Sequence, residues 1–93
     1  MAVALVQEFR IQDGDRSTTN YDAINERLKN EMPDGAVIHT AGFDGDVFRI
    51  FEVWESREQA EEFADRVRAV RQEIGVGSDR PAMEYFEVHN LMQ

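Results

Sequence analysis

Residues 42–48 read Gly-Phe-Asp-Gly-Asp-Val-Phe, with an Asp-Gly pair between two runs of extended-chain residues. Asp-Gly at such a point favours a two-residue hairpin turn, because glycine adopts the positive φ that these tight turns require. With Asp44 and Gly45 as the turn residues, we expect strands over 36–43 and 47–55 to pair antiparallel. In that register residue 41 faces residue 48, and residue 39 faces residue 50.

The elements on either side of this hairpin follow from periodicity. Residues 3–11 alternate with a period of two, which predicts a first strand. After the hydroxyl residues 17–19, which are candidate N-caps, Tyr21, Ile24 and Leu28 recur at helical spacing and predict a short helix. This helix is expected to stop between Asn30 and the Pro-Asp-Gly of residues 33–35.

A second helix is predicted after the hairpin. Ser56 and Gln59 form a capping-box pattern, and apolar residues continue at helical spacing as far as Ile74. Gly75, Gly77 and Pro81 are expected to end the helix. Apolar and aromatic residues over 83–92 predict a last strand.

The resulting order, β-α-β-β-α-β, is typical of a ferredoxin-like α+β fold. In this fold two helices cover one face of a four-stranded antiparallel sheet. Since no linker or repeat interrupts the pattern, residues 1–93 are expected to form a single domain.

The two faces of the hairpin carry different side chains, and we expect one of them to be left open by the helices. The side predicted to face the helices carries Ala36, Ile38, Phe51 and Val53. The side predicted to be open carries Val37, His39, Ala41, Phe48, Ile50, Glu52 and Trp54. Because several of these side chains are large and apolar, we expect a second copy of the chain to cover this face. The sequence therefore predicts a homodimer in which two sheets pack face to face and close into an α/β barrel.

Composition restricts the partners. The 93 residues include 10 Lys and Arg against 19 Asp and Glu, a net charge of −9, and no Cys. This charge disfavours nucleic-acid binding, and the lack of Cys excludes disulfides and thiolate chemistry. The amino-terminal residues have no basic segment, and Glu8 and Arg10 interrupt the apolar run, so we expect a cytoplasmic protein without a membrane partner.

Three segments resemble the dimeric α/β-barrel superfamily that includes the antibiotic biosynthesis monooxygenases. They are His-Thr-Ala-Gly at 39–42, Phe-Glu-Val-Trp-Glu-Ser-Arg-Glu at 51–58 and Phe-Glu-Val-His-Asn at 86–90. The chain most resembles small bacterial members with no assigned reaction. The resemblance implies an obligate homodimer with a cleft in each protomer. The superfamily includes cofactor-free oxygenases, in which a tryptophan at the position that Trp54 resembles lies beside an aromatic substrate. The asparagine that those enzymes use is missing from the second and third strands here, and the second helix lacks the histidine of the haem-degrading members.

Two residues are candidates for catalysis. The imidazole of His39 can take a proton from a phenol near neutral pH, and Glu52 on the same face can orient it. The alternatives are a half-buried histidine that only satisfies a hydrogen bond, and a glutamate that forms an ion pair across the dimer interface. The candidate substrate-binding residues are Trp54, His89, Tyr85, Phe48 and Tyr21, each of which could instead be a packing residue.

The predicted function is the binding of a small hydrophobic or aromatic metabolite, with cofactor-independent monooxygenation as the reaction if the protein is an enzyme. The alternative is a non-catalytic dimer whose interior is filled by these same side chains. No cofactor is expected. A further hypothesis places a divalent metal between His39, His89 and Glu52, although no local spacing motif joins these three residues.

Overall fold

The computed structural model describes residues 2–11, 18–75 and 81–92 and has the predicted order of elements. The strands are β1 (Val3–Arg10), β2 (Ala36–Asp44), β3 (Val47–Trp54) and β4 (Ala82–Glu87), and the helices are α1 (Thr19–Arg27) and α2 (Arg57–Ile74). The predicted cap at Ser17 and the predicted helix stop at Gly77 lie outside the described residues. Neither helix is long and apolar enough to cross a membrane within the part of the chain that is described.

The strands form one antiparallel sheet in the order β2-β3-β1-β4, as expected for a ferredoxin-like fold. The hairpin turn lies one residue later than predicted, because Asp44 pairs with Val47 and leaves Gly45 and Asp46 as the turn residues. Gly45 has a φ of 57°, which suits a turn that needs positive φ only at its first central residue. The shift places His39 directly opposite Glu52.

The predicted assignment of the two sheet faces is wrong. His39, Phe48 and Trp54 face the helices: the Trp54 ring lies 5.4 Å from the Phe63 ring of α2, and the Phe48 ring lies 5.3 Å from the Tyr21 ring of α1. With one exception, the residues of the helix-covered face were grouped correctly, but that face was predicted to be the open one. The exception is Ala36, because a bulge between Ala36 and Ile38 places it opposite Trp54, on the helix-covered face. The open face instead carries Ala4, Val6, Ile38, Phe51, Val53 and Phe86.

The junction between β3 and α2 forms as the capping box predicts. The Ser56 hydroxyl accepts a hydrogen bond from the Gln59 backbone N–H at 3.2 Å. Gly75, with a φ of 73°, ends the helix in the left-handed conformation. Between these ends α2 packs on the sheet, where Ala60 is fully buried beside Val3 and Trp54.

The last strand is shorter than predicted, because β4 ends at Glu87 rather than continuing to residue 92. Beyond the strand, a backbone hydrogen bond from Val88 N–H to the carbonyl of Ala2, at 2.9 Å, continues the pairing. His89 is exposed and lies beyond the strand, so it does not extend the face that carries His39.

Candidate functional site

A cleft of about 190 Å³ lies between α1, the connection from α1 to β2, and the helix-covered face of the sheet. The sheet supplies His39, Glu52 and Trp54, while α1 supplies Tyr21 and Asn25. Tyr21, Asn25 and Leu28 recur at spacings of four and three residues, so one side of the α1 segment lines the cleft. Residues 30–33 and Phe63 of α2 complete the wall.

A chain of hydrogen bonds joins four of these side chains. The Tyr21 hydroxyl lies 2.5 Å from Nε2 of His39, and Nδ1 of His39 lies 2.7 Å from Oε2 of Glu52. The indole Nε1–H of Trp54 donates to the other carboxylate oxygen, Oε1, at 3.2 Å. The hairpin register sets this arrangement, since His39 pairs with Glu52 across the two strands and Trp54 follows two residues later on the same face.

The chemistry of the partners fixes the direction of each hydrogen bond. A carboxylate only accepts, so Nδ1 of His39 carries a proton and donates it to Glu52. When the imidazole is neutral, Nε2 is the basic nitrogen and accepts from the Tyr21 hydroxyl. The arrangement leaves the acceptor nitrogen of His39 on the side of Tyr21 and the cleft, as a general base requires.

Glu52 is the one charged residue that is buried among those described, with 4 % of its surface exposed. Burial of a carboxylate is tolerated where hydrogen-bond donors satisfy its oxygens, and here each oxygen has one. Glu52 therefore does not lie on the open face, where an ion pair across a sheet-to-sheet interface would need it. Its two partners make it the residue that holds both His39 and Trp54.

Two other predicted site residues lie near the cleft without lining it. Phe48 makes an edge contact with the Tyr21 ring and supports it from the sheet. Tyr85 packs against the cluster of Val3, Trp54 and Ala60, and the Arg57 guanidinium lies 4.2 Å from the centre of its ring. Burial, with the nearby carboxylate of Glu61, raises the pKa of the Tyr85 phenol above 10.0.

His89 is not brought together with His39 and Glu52. It is exposed beyond the end of β4, whereas the other two residues lie beneath α1. Among residues 2–11, 18–75 and 81–92, no three His, Cys, Asp or Glu side chains are grouped so that they could hold a metal ion. The hypothesis of a three-ligand metal site is therefore not supported by the arrangement.

The cleft also contains residues that the sequence analysis did not single out. Asn25 lines it from α1, and residues 30–33 line it from the connection that follows. Asn25 could have been found from its place four residues after Tyr21. The connection could not have been predicted to line the cleft. It turns into the cleft through left-handed conformations at Lys29 and Asn30, with φ of 62° and 53°, and neither residue is a glycine, the usual sequence signal for such a conformation.

No family model and no curated protein matches this sequence. Solved structures do match along nearly the whole chain. The structure of Rv0793 from Mycobacterium tuberculosis has a TM-score of 0.75 at 18 % identity, with 100 % of each chain covered. NE2512 from Nitrosomonas europaea, a protein of unknown function, has a TM-score of 0.72 at 16 % identity, covering 99 % of this chain and 93 % of that one.

A third match comes from Caulobacter crescentus and is named a "putative antibiotic biosynthesis monooxygenase". Its TM-score is 0.71 at 13 % identity, with 96 % of this chain and 91 % of that chain covered. Identities this low establish shared architecture and leave activity to the residues of the site. The chain therefore has the ferredoxin-like βαββαβ fold of proteins that resemble antibiotic biosynthesis monooxygenases in structure.

Proposed function

We propose that the cleft binds a small aromatic molecule with a ring hydroxyl and that His39 receives the proton of this hydroxyl. The observation that carries the proposal is the hydrogen-bonded chain from Tyr21 through His39 to Glu52 at the floor of the cleft. A buried carboxylate that orients an imidazole, whose other nitrogen points to a cavity, is a common arrangement for a general base.

The size of the cleft supports a ligand with one ring. A cavity of roughly 150 Å³ is enough to bind benzene in a protein interior, and the cleft here measures about 190 Å³. Trp54, Phe63 and Leu28 supply apolar wall for such a ring. The alternative of a filled interior predicts no space of this size between sheet and helices.

The proton can move without displacement of Tyr21. A tyrosine hydroxyl both donates and accepts, so Tyr21 can donate to Nε2 of His39 while it accepts from the hydroxyl of the ligand. His39 then takes the Tyr21 proton as Tyr21 takes that of the ligand. The imidazolium formed on His39 is stabilised by the carboxylate of Glu52.

The reaction that we propose is monooxygenation, the class in the name of the Caulobacter crescentus structure. We propose that it proceeds without a cofactor, as the resemblance of the sequence to cofactor-free oxygenases implies. The phenolate gives one electron to O₂, and the phenoxyl and superoxide radicals combine to form a carbon–oxygen bond. The resulting hydroperoxide loses water and leaves a quinone. One atom of O₂ remains in the product, the other leaves in water, and the proton held by His39 is returned to that water.

The test is oxygen uptake and quinone formation with a panel of one-ring phenols. We expect turnover by the wild-type protein and a loss of roughly 100-fold or more in His39→Ala, because general-base catalysis contributes that much. His89→Ala is the matched control and should retain activity, since His89 is exposed outside the cleft. Equal oxygen uptake by wild type and His39→Ala would remove His39 from the mechanism, and binding without uptake would leave a non-catalytic binding protein.

We further propose that a second copy of the chain covers the open face of the sheet. Phe51 and Phe86 are 37 % and 52 % exposed there, and Val6 lies between their strands. Soluble monomers seldom expose a contiguous apolar surface of this kind, and a twofold dimer is the commonest assembly that covers one. Native mass spectrometry should give twice the mass of the 10.7 kDa chain, and the mass of one chain would refute the dimer.

A further inference from the structure

The amide of Asn25 is a polar group of the cleft that the chain itself does not use. Asn25 is half-buried on α1, and its side chain makes no hydrogen bond with the described part of the chain. Its backbone carbonyl is occupied, since it accepts from the Asn30 N–H at 2.8 Å. A half-buried amide without a partner has N–H and C=O groups available to a ligand.

Three other side-chain donors that line the cleft are already engaged. Nδ1–H of His39 and Nε1–H of Trp54 both donate to Glu52, and the Tyr21 hydroxyl donates to His39. The amide of Asn30 is also without a partner in the described structure, but Asn30 is exposed at the rim. Among the described residues, Asn25 is therefore the half-buried side chain of the cleft whose N–H groups are free to donate.

We propose that Asn25 donates a hydrogen bond to a second oxygen of the ligand, so that the cleft selects one-ring phenols that also carry a carbonyl group. The inference rests on the proposed function and adds the class of substrate to it. Tyr21 and Asn25 lie one helical turn apart on α1, so one small molecule can contact Tyr21 through its hydroxyl and Asn25 through its carbonyl oxygen.

The negative charge of the cleft also selects between neutral and anionic ligands. Glu31 and Glu52 line it, and no Lys or Arg does so among the described residues. A ligand carboxylate would be repelled by these two side chains, whereas the Arg66 guanidinium, 5.7 Å from the centre of the Phe63 ring, lines the adjoining pocket instead of the cleft. The substrate class is therefore a neutral hydroxyphenyl ketone or aldehyde rather than a hydroxybenzoate.

The experiment compares the binding of 4-hydroxyacetophenone and 4-ethylphenol by calorimetry. The two molecules have nearly the same shape, but only the first has a carbonyl oxygen. We expect wild type to bind the ketone about threefold to tenfold more tightly, the usual worth of one neutral hydrogen bond. 4-Hydroxybenzoate should bind more weakly than the ketone at neutral pH, and equal binding would overturn the selection for neutral ligands.

Variants of Asn25 separate the hydrogen bond from other causes. The preference for the ketone should disappear in Asn25→Leu and in Asn25→Asp, which keeps the shape of the side chain but has no N–H to donate. Asn20→Leu makes the same change at an exposed position of α1 and should keep the preference. The measured quantity is the ratio of the affinities for the two phenols. A change in cleft volume that weakens the binding of both phenols equally would leave this ratio unchanged.

The outcomes distinguish this inference from the function on which it rests. If wild type binds both phenols equally, the role of Asn25 is refuted and the proposed phenol site stands. If the preference persists in both Asn25 variants, Asn25 is not its source, and the inference is again refuted. If wild type binds neither phenol, the proposed function fails, and the inference fails with it.

Discussion

At the scale of single residues, Glu52 is the buried carboxylate that joins two side chains of the cleft. Its two oxygens accept from Nδ1–H of His39 and from Nε1–H of Trp54. In Glu52→Gln one oxygen becomes an NH₂ group, which would face another N–H donor. We expect the free energy of unfolding to fall by about 1–3 kcal/mol, the cost of a buried polar group left without its partner, measured by urea denaturation.

Glu62→Gln is the control for this prediction, because it makes the same chemical change at an exposed position of α2, away from the open face of the sheet. Surface substitutions away from special features usually change stability by less than about 0.5 kcal/mol. Equal losses in the two variants would mean that the hydrogen bonds of Glu52 contribute nothing beyond its charge.

Tyr85 provides a prediction about pH. Burial and the Glu61 carboxylate raise its pKa above 10.0 in the folded protein, whereas the unfolded chain has the ordinary value. The stabilisation from the neutral phenol is therefore fully present below pH 10 and is lost as pH rises through the higher folded pKa. The stability difference between wild type and Tyr85→Phe should accordingly shrink above that pH.

The titration of Tyr85 itself can be measured from the ultraviolet absorbance of tyrosinate. The chain has two tyrosines, so subtracting the curve of Tyr85→Phe from that of wild type isolates Tyr85. A midpoint at or below 10.0 would contradict the raised pKa and the burial that causes it.

At the scale of elements, the two helices begin in different ways, and their stabilities should respond differently. The Ser56 hydroxyl accepts from the Gln59 backbone N–H, whereas the Thr18 hydroxyl donates to the side chain of Asp22 and caps no backbone group. Ser56→Ala should cost about 1 kcal/mol, the usual value of an N-cap, and Thr18→Ala much less. Thermal unfolding followed by circular dichroism measures both, and equal shifts would contradict the capping role of Ser56.

The elements whose ends depend on local sequence patterns were predicted better than those whose ends depend on pairing with another strand. The start of α2 was predicted correctly because Ser56 and Gln59 form a local pattern whose partners are three residues apart. The hairpin was predicted one residue early, since Asp-Gly and Gly-Asp overlap at residues 44–46 and both suit a tight turn. The end of β4 was missed because residues 88–92 have the composition of a strand, while pairing with β1 stops near Ala2.

At the scale of the whole molecule, the sequence indicated most of the residues that share a sheet face but not which face the helices cover. Ala36 was placed on the wrong face because alternation does not reveal the bulge between Ala36 and Ile38. Alternation along β3 groups Ile50, Glu52 and Trp54 on one side and Phe51 and Val53 on the other, and both groups are largely apolar. Glu52 and His39 were placed on the open face because both side chains are polar. Tertiary contacts, such as that of Phe63 with Trp54, determine which face the helices cover, and no local sequence pattern encodes these contacts.

The corrected faces change the test of the dimer, because the residues on the open face are now Val6, Phe51 and Phe86. Phe86→Glu places a charge at a position that is 52 % exposed on this face, and burial of that charge against a second sheet would be costly. We expect a folded protein of half the wild-type mass in sedimentation experiments.

Met83→Glu is the matched control, since Met83 lies on the same strand, is 44 % exposed and points to the opposite face. It should leave the dimer intact. If Phe86→Glu stays dimeric while Met83→Glu becomes a monomer, the subunits meet along the helix-covered side, near the cleft. The thermal stability of wild type should also rise with protein concentration if the dimer forms through the open face, and that dependence should be lost in Phe86→Glu.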